Sequence, residues 1–118
     1  VYRDQTPLSE WRERAAKALH ARGAKNVIIT MGGEGAYFSG TDEAFMMPAF
    51  RISAVDTTAA GDAFNGGLAV RLAAGDGIRP AMRYASACGA IAAMRRGSMP
   101  SLPSADEVSV FLNEHMEE

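Results

Sequence analysis

Asp56-Thr57-Thr58-Ala59-Ala60-Gly61-Asp62-Ala63-Phe64-Asn65-Gly66-Gly67 is a polar, glycine-containing loop that runs straight into an apolar-periodic segment. Phe64, Leu68 and Leu72 fall at i, i+4 and i+8, the spacing of one helix face, so the loop ends at a helix N-terminus. Several backbone N–H groups there have no intrahelical partner and the helix dipole is positive, which favours an anion such as a phosphate. Ala59, Ala60 and Gly61 carry almost no side chain and let a ligand approach the main chain. Asp62, in the first turn, projects a carboxylate at whatever those amides hold. Two readings stay open on the loop alone: a base that accepts the proton of a hydroxyl attacking phosphorus, or a plain helix cap.

Upstream, Pro7-Leu8-Ser9-Glu10 opens a helix in which Trp11, Ala15, Ala18 and Leu19 recur at helical spacing until Gly23 stops it. Its Arg12, Arg14, Lys17 and Arg22 are interleaved with Glu10 and Glu13, the pattern of a solvated face rather than an anion site. Asn26-Val27-Ile28-Ile29-Thr30-Met31 is a short β-branched run without alternation, expected to be a strand buried on both faces. It ends in Gly32-Gly33-Glu34-Gly35, a loop that serves a tight hairpin as well as a phosphate. Ala36-Tyr37-Phe38-Ser39 and Phe45-Met46-Met47-Pro48 are two further strands joined by a Gly40-Thr41-Asp42 turn. Phe50 to Val55 is expected to be a third extended segment, delivering the chain to Asp56. Helix, turn, buried strand and glycine loop in that order indicate an α/β sheet with ligand loops at the strand ends.

Downstream, Gly75-Asp76-Gly77 is a break, and Pro80 opens a second long helix through Ala81, Tyr84, Cys88, Ile91 and Ala92. Its wealth of Ala, Ser and Gly lets neighbours pack close. Arg95-Arg96-Gly97-Ser98-Met99-Pro100-Ser101 leaves that helix through glycine and turns on proline. Ser104-Ala105-Asp106-Glu107 starts a last helix with Val108, Phe111 and Leu112 as its buried stripe.

A chain of 118 residues is one domain at most, and a net charge of −2 gives no nucleic-acid footprint. A single cysteine, Cys88, excludes an internal disulfide framework, fits a reducing cytoplasm, and sits among small apolar neighbours as a buried thiol. No apolar run reaches the ~18 residues of a membrane span, and neither histidine has a partner at metal-ligand spacing. The opening Val1-Tyr2-Arg3 lacks an initiator Met and suggests a start inside a longer product. A truncated sheet exposes an apolar edge, so the chain alone is expected to associate or dissolve poorly.

The stretch Asp56 to Asp62 resembles the D-T-x-G-A-G-D signature of the PfkB, or ribokinase-like, carbohydrate kinases, with Ala59 where most of the family has Gly. The likeness continues through Phe64-Asn65-Gly66-Gly67 and at Arg96-Gly97-Ser98-Met99-Pro100-Ser101-Leu102-Pro103, and it covers only the C-terminal part of such an enzyme. It implies an α/β layered fold, a central, mostly parallel sheet flanked by helices, of which residues 1–118 form the nucleotide-binding and catalytic portion. It implies Asp62 as general base and the amides of Ala59, Ala60, Gly61 and Asp62 as an anion hole. Thr30-Met31-Gly32-Gly33-Glu34-Gly35 resembles the family's T-x-G-x-x-G nucleotide loop, and Ser86 stands where a residue near the adenine is expected, although the family usually has a larger polar side chain there. A monovalent cation, K⁺, is implied with ligands from Asp56, Thr58, the main chain of Ala92, Arg95 and Gly97, and Ser101, the oxygen donors a hard cation prefers.

The expected activity is therefore transfer of the γ-phosphoryl group of ATP, with Mg²⁺ bridging its phosphates, to a sugar hydroxyl. Ribose is the first acceptor to expect, with fructose, a nucleoside or another sugar as alternatives, and a silent nucleotide-binding or structural fragment as the rival class. The implied partners are small molecules, with no nucleic acid and no membrane, and the full-length enzyme is expected to form a homo-oligomer, a dimer, in the cytoplasm.

Overall fold

The structure, a computed structural model, describes residues 8–95 and 103–116. The chain divides into two compact units, Val1–Pro48 and Ala49–Glu118. The first unit holds α1 (Leu8–Ala21), β1 (Val27–Thr30), β2 (Ala36–Ser39) and β3 (Ala44–Met47). The second holds α2 (Ala60–Ala73), α3 (Ile78–Ala93) and α4 (Ala105–Glu114).

In the first unit α1 stops where expected. Gly23 adopts φ 106°, the Gly23 N–H donates to the His20 carbonyl at 3.0 Å and the Ala24 N–H to that of Leu19 at 3.1 Å, the paired bonds that close a helix on a left-handed glycine. The buried face differs from the expected one: Trp11 is 36 % exposed and Leu19 43 %, whereas Ala16 is buried. The reason lies in the side chains at i−4 and i+4 from Ala16. The Arg12 guanidinium lies over the Tyr37 ring at 5.1 Å, and His20 Nε2 meets Ser39 Oγ at 2.8 Å. His20 Nδ1 is 2.7 Å from the Ala24 carbonyl, which can only accept, so Nδ1 carries a proton, and Nε2 pairs with the Ser39 hydroxyl. Two polar side chains thus cover β2 where an apolar stripe was expected.

The described strands form one sheet in the order β1-β2-β3, both pairs antiparallel, with Thr30 opposite Ala36 and Ser39 opposite Ala44. The chain's own strands therefore contribute an antiparallel ladder rather than the parallel part of the layered fold. Within β1, Val27 is buried but Ile28 and Ile29 only partly so, so the absence of alternation here marks a half-covered strand.

The second unit is a helical layer. The segment at 50–55, expected to be extended, pairs with no described strand; at its end the Val55 N–H, and the Asp56 N–H just after it, both reach the Ala93 carbonyl, at 2.7 and 2.9 Å. Phe50 is buried edge-on against Phe111, with ring centroids 5.0 Å apart. Around them Ala63, Ala87, Cys88, Ile91, Ala92 and Val108 close the core. Helix α2 buries Ala63, Phe64 and Gly67, while Leu72, expected on that face, is 43 % exposed. It ends at Gly75, φ 94°, where Arg71 grips Asp76 through two bonds of 2.8 and 3.1 Å. Helix α4 opens on a capping box: Ser104 Oγ accepts the Glu107 N–H at 3.2 Å and Glu107 Oε1 accepts the Ser104 N–H at 2.9 Å. No helix of the described residues is long and apolar enough to cross a membrane.

Candidate active site

The loop from Asp56 to Ala59 feeds α2, and its shape comes from Asp56. One carboxylate oxygen, Oδ1, accepts both the Thr58 N–H at 2.9 Å and the Thr58 hydroxyl, an Asx turn that fixes residues 56–58 ahead of the helix. The N-cap is Ala59, buried and without a side-chain cap. Asp62, third residue of α2, is exposed and makes no capping bond. Asp62 thus caps no amide here, while as a first-turn acid it still complements the helix dipole.

The first-turn amides divide. Ala60 N–H donates to the Thr57 carbonyl at 3.2 Å, and Ala63 N–H to that of Ala59 at 2.9 Å. The N–H groups of Gly61 and Asp62 meet no carbonyl among the described residues, as the first turn of a helix requires. A pair of free amides at the positive end of a helix, with a carboxylate beside them, can hold an anion and take a proton next to it. The Ala60 N–H, expected among the anion-holding amides, is not one of these free groups, because it is bonded to Thr57.

The residues implied as cation ligands gather in part. Through the two bonds from Val55 and Asp56 to Ala93, the Asp56–Thr58 loop is fastened to the carbonyl end of α3, which holds Ala92, with Arg95 two residues past the helix; this end of a helix attracts positive charge. The Arg95 N–H donates to the Ala92 carbonyl at 3.2 Å, occupying one of its lone pairs. Gly97 and Ser101 lie outside the described residues. Among those described, no group of three or more His, Cys, Asp or Glu side chains could hold a metal ion, so any cation here would rest on carbonyls, a hydroxyl and the one carboxylate. The Ala93 carbonyl, which carries the loop, was not singled out from the sequence, although an orphan carbonyl near a glycine-terminated helix end is the signal that could have found it.

The glycine loop belongs to the first unit. Thr30 ends β1, and Gly32–Glu34 form a single 3₁₀ turn with Gly32 at φ 58° and Gly35 at φ 114°. Met31 N–H donates to the Gly35 carbonyl at 2.8 Å, closing the β1–β2 hairpin. Gly32, Gly33 and Glu34 are exposed, and a Cβ on Gly32 or Gly33 would meet nothing within 4 Å. Ser86 is half-buried on α3. Cys88, on the same helix, is buried and its thiol is pushed up to about 11 by desolvation.

The pattern of the pfkB family carbohydrate kinases matches residues 7–105, the greater part of the chain. The chain belongs to this family. The pfkB relatives include a ribokinase of Haemophilus influenzae, 36 % identical over 99 residues, and an aminoimidazole riboside kinase of Salmonella typhimurium, 38 % identical over 112 residues. They are covered to 32 % and 35 % of their length, and cover 84 % and 91 % of this chain. The solved structure of the Arabidopsis thaliana ribokinase complexed with ribose and ATP superimposes with a TM-score of 0.83 at 27 % identity, over 87 % of this chain and 34 % of that one. The chain thus has the fold of the ribokinase-like kinases and spans about a third of the length of these relatives.

Proposed function

We propose that the chain is the nucleotide-side, catalytic portion of an ATP-dependent sugar kinase, and that ribose is its acceptor. The observation that carries this is the α2 N-terminus, where an exposed and uncapped Asp62 stands beside the unpartnered amides of Gly61 and Asp62 in a chain of the pfkB family. In the reaction the acceptor hydroxyl oxygen forms a bond to the γ-phosphorus of ATP, the bond from that phosphorus to the β–γ bridging oxygen breaks, and ADP leaves with the electron pair. Asp62 takes the hydroxyl proton. The Gly61 and Asp62 amides, with that of Ala59, hold the equatorial oxygens as charge spreads over them.

Mg²⁺, when bound with ATP, neutralises charge on the phosphates, and K⁺ would lie at the carbonyl end of α3 beside Asp56. Thr30 to Gly35 and Ser86 are the residues proposed to meet the nucleotide. A second acceptor class has support of its own: the aminoimidazole riboside kinase is as similar to this chain as the ribokinase is.

The test is ATP turnover by the whole protein, by its Asp62→Asn variant and by the 118-residue chain alone, each with ribose, fructose and a riboside. General-base catalysis contributes about 10²–10⁴-fold, so the variant should lose at least about a hundredfold in kcat with little change in the KM for ATP. Near-normal turnover by the variant refutes the role of Asp62. Preference for another sugar refutes ribose while leaving the kinase in place.

A further inference from the structure

Helix α3 touches the catalytic loop at two points one turn apart. At its end the Ala93 carbonyl accepts the Val55 and Asp56 amides. One turn earlier, a Cβ placed on Gly89 would stand 3.2 Å from the carbonyl oxygen of Ala60, 3.8 Å from Phe64 Cβ and 4.0 Å from the Ala60 carbonyl carbon. Ala60 is the first residue of α2, so the loop from Asp56 to Ala60 is strung between two fixed points on one helix. The other described glycines of these two helices do something else. Gly61 and Gly66 have nothing within 4 Å, and Gly67 faces Cys88 and Ala85.

The peptide plane supplies the consequence. The Ala60 carbonyl and the Gly61 N–H belong to one rigid amide, so whatever presses on that oxygen also turns the N–H proposed to hold a phosphoryl oxygen. We infer that Gly89 is a positioning residue for phosphoryl transfer: its missing side chain sets the depth at which the Ala60–Gly61 amide rests on α3, and so the aim of the anion hole. This rests on the kinase reading above.

Gly89→Ala separates positioning from packing. A neighbour at 3.2 Å must give by a few tenths of an ångström, and here it is backbone, which gives less easily than a side chain. Since a misplacement of about 1 Å costs on the order of a hundredfold in rate, a shift of this size should lower kcat about tenfold. The preference of helices for Ala over Gly, about 1 kcal/mol, offsets the crowding, so the folded state should persist. In the whole protein, with ATP and ribose, the expected result is a kcat reduced about tenfold, a ribose KM within about twofold of wild type and a melting temperature within a few degrees. Gly89→Ser, adding bulk on the same Cβ, should lower kcat further. Unchanged kcat overturns the inference. So does a variant that fails to fold, or one whose turnover per folded molecule is normal, because Gly89 then supports the unit and not the loop. If the wild type phosphorylates no sugar, or Asp62→Asn keeps its activity, the kinase reading falls first and takes this inference with it; if both behave as proposed and Gly89→Ala keeps its rate, this inference alone falls.

Discussion

Gly67→Ala should destabilise the second unit through one identifiable collision. A Cβ on Gly67 would lie 2.7 Å from Cys88 Sγ, 3.3 Å from Cys88 Cβ and 3.4 Å from the Ala85 Cα. Carbon atoms in contact sit about 3.5–4.0 Å apart and sulfur is larger, so the Sγ overlap is about 1 Å. The Ala85 backbone on the far side keeps the two helices from simply parting. Overpacking of this kind costs about 1–3 kcal/mol, and replacing Gly by Ala in a helix returns about 1 kcal/mol. The net loss should be about 0–2 kcal/mol, read as a fall in melting temperature of up to roughly 8 °C. Cys88→Ala alone should cost about 1 kcal/mol by leaving a small void. In the double variant the new methyl occupies the space the sulfur left, and stability should return to within about 0.5 kcal/mol of wild type. The four proteins, unfolded by heat or urea, then give a coupling near 2 kcal/mol, within the range seen for residues in contact. Additive losses would refute the claim that this glycine is required by the Cys88 thiol.

Three further outcomes can be checked on the same protein. Ser104→Ala removes the oxygen that caps α4 and leaves the Glu107 amide without its partner, which should cost about 1 kcal/mol in denaturant unfolding; no loss would mean the cap is idle. Because burial raises the Cys88 thiol to about 11 from an ordinary value of 9.0, its contribution to stability is complete below pH 9 and declines as pH rises from 9 towards 11, where the unfolded chain ionises first. That alkaline decline should be absent in Cys88→Ala, and a thiol reagent at pH 8 should label wild type only after unfolding. Rapid labelling of the native protein would contradict the burial of this side chain.

What the sequence disclosed here and what it concealed follow from how far each signal reaches along the chain. Gly23, Gly75 and the Ser104–Glu107 box act within six residues of themselves, and each falls where its local chemistry put it. The passage from Asp56 into α2 was legible for the same reason: small residues, a first-turn acid and apolar spacing are all local. The misplaced features depend on partners far away in sequence. Residues 50–55 were expected only to run extended, and nothing local shows that the Val55 donor and the Asp56 donor after it are taken by Ala93, some forty positions on. The face of α1 was misjudged because apolar spacing does not register an arginine covering Tyr37 or a histidine bonded to Ser39. The first of these bears on the candidate site. Val55 and Asp56 tie the loop ahead of α2 to the end of α3 through the Ala93 carbonyl. The glycine of α3 that approaches Ala60 was hidden in an Ala-rich helix whose small residues all look like packing, and only the distance to a carbonyl distinguishes it from its neighbours. The chemistry proposed for this loop is thus written locally in Asp56 to Asp62, while the aim inferred for it depends on a helix that the local pattern does not name.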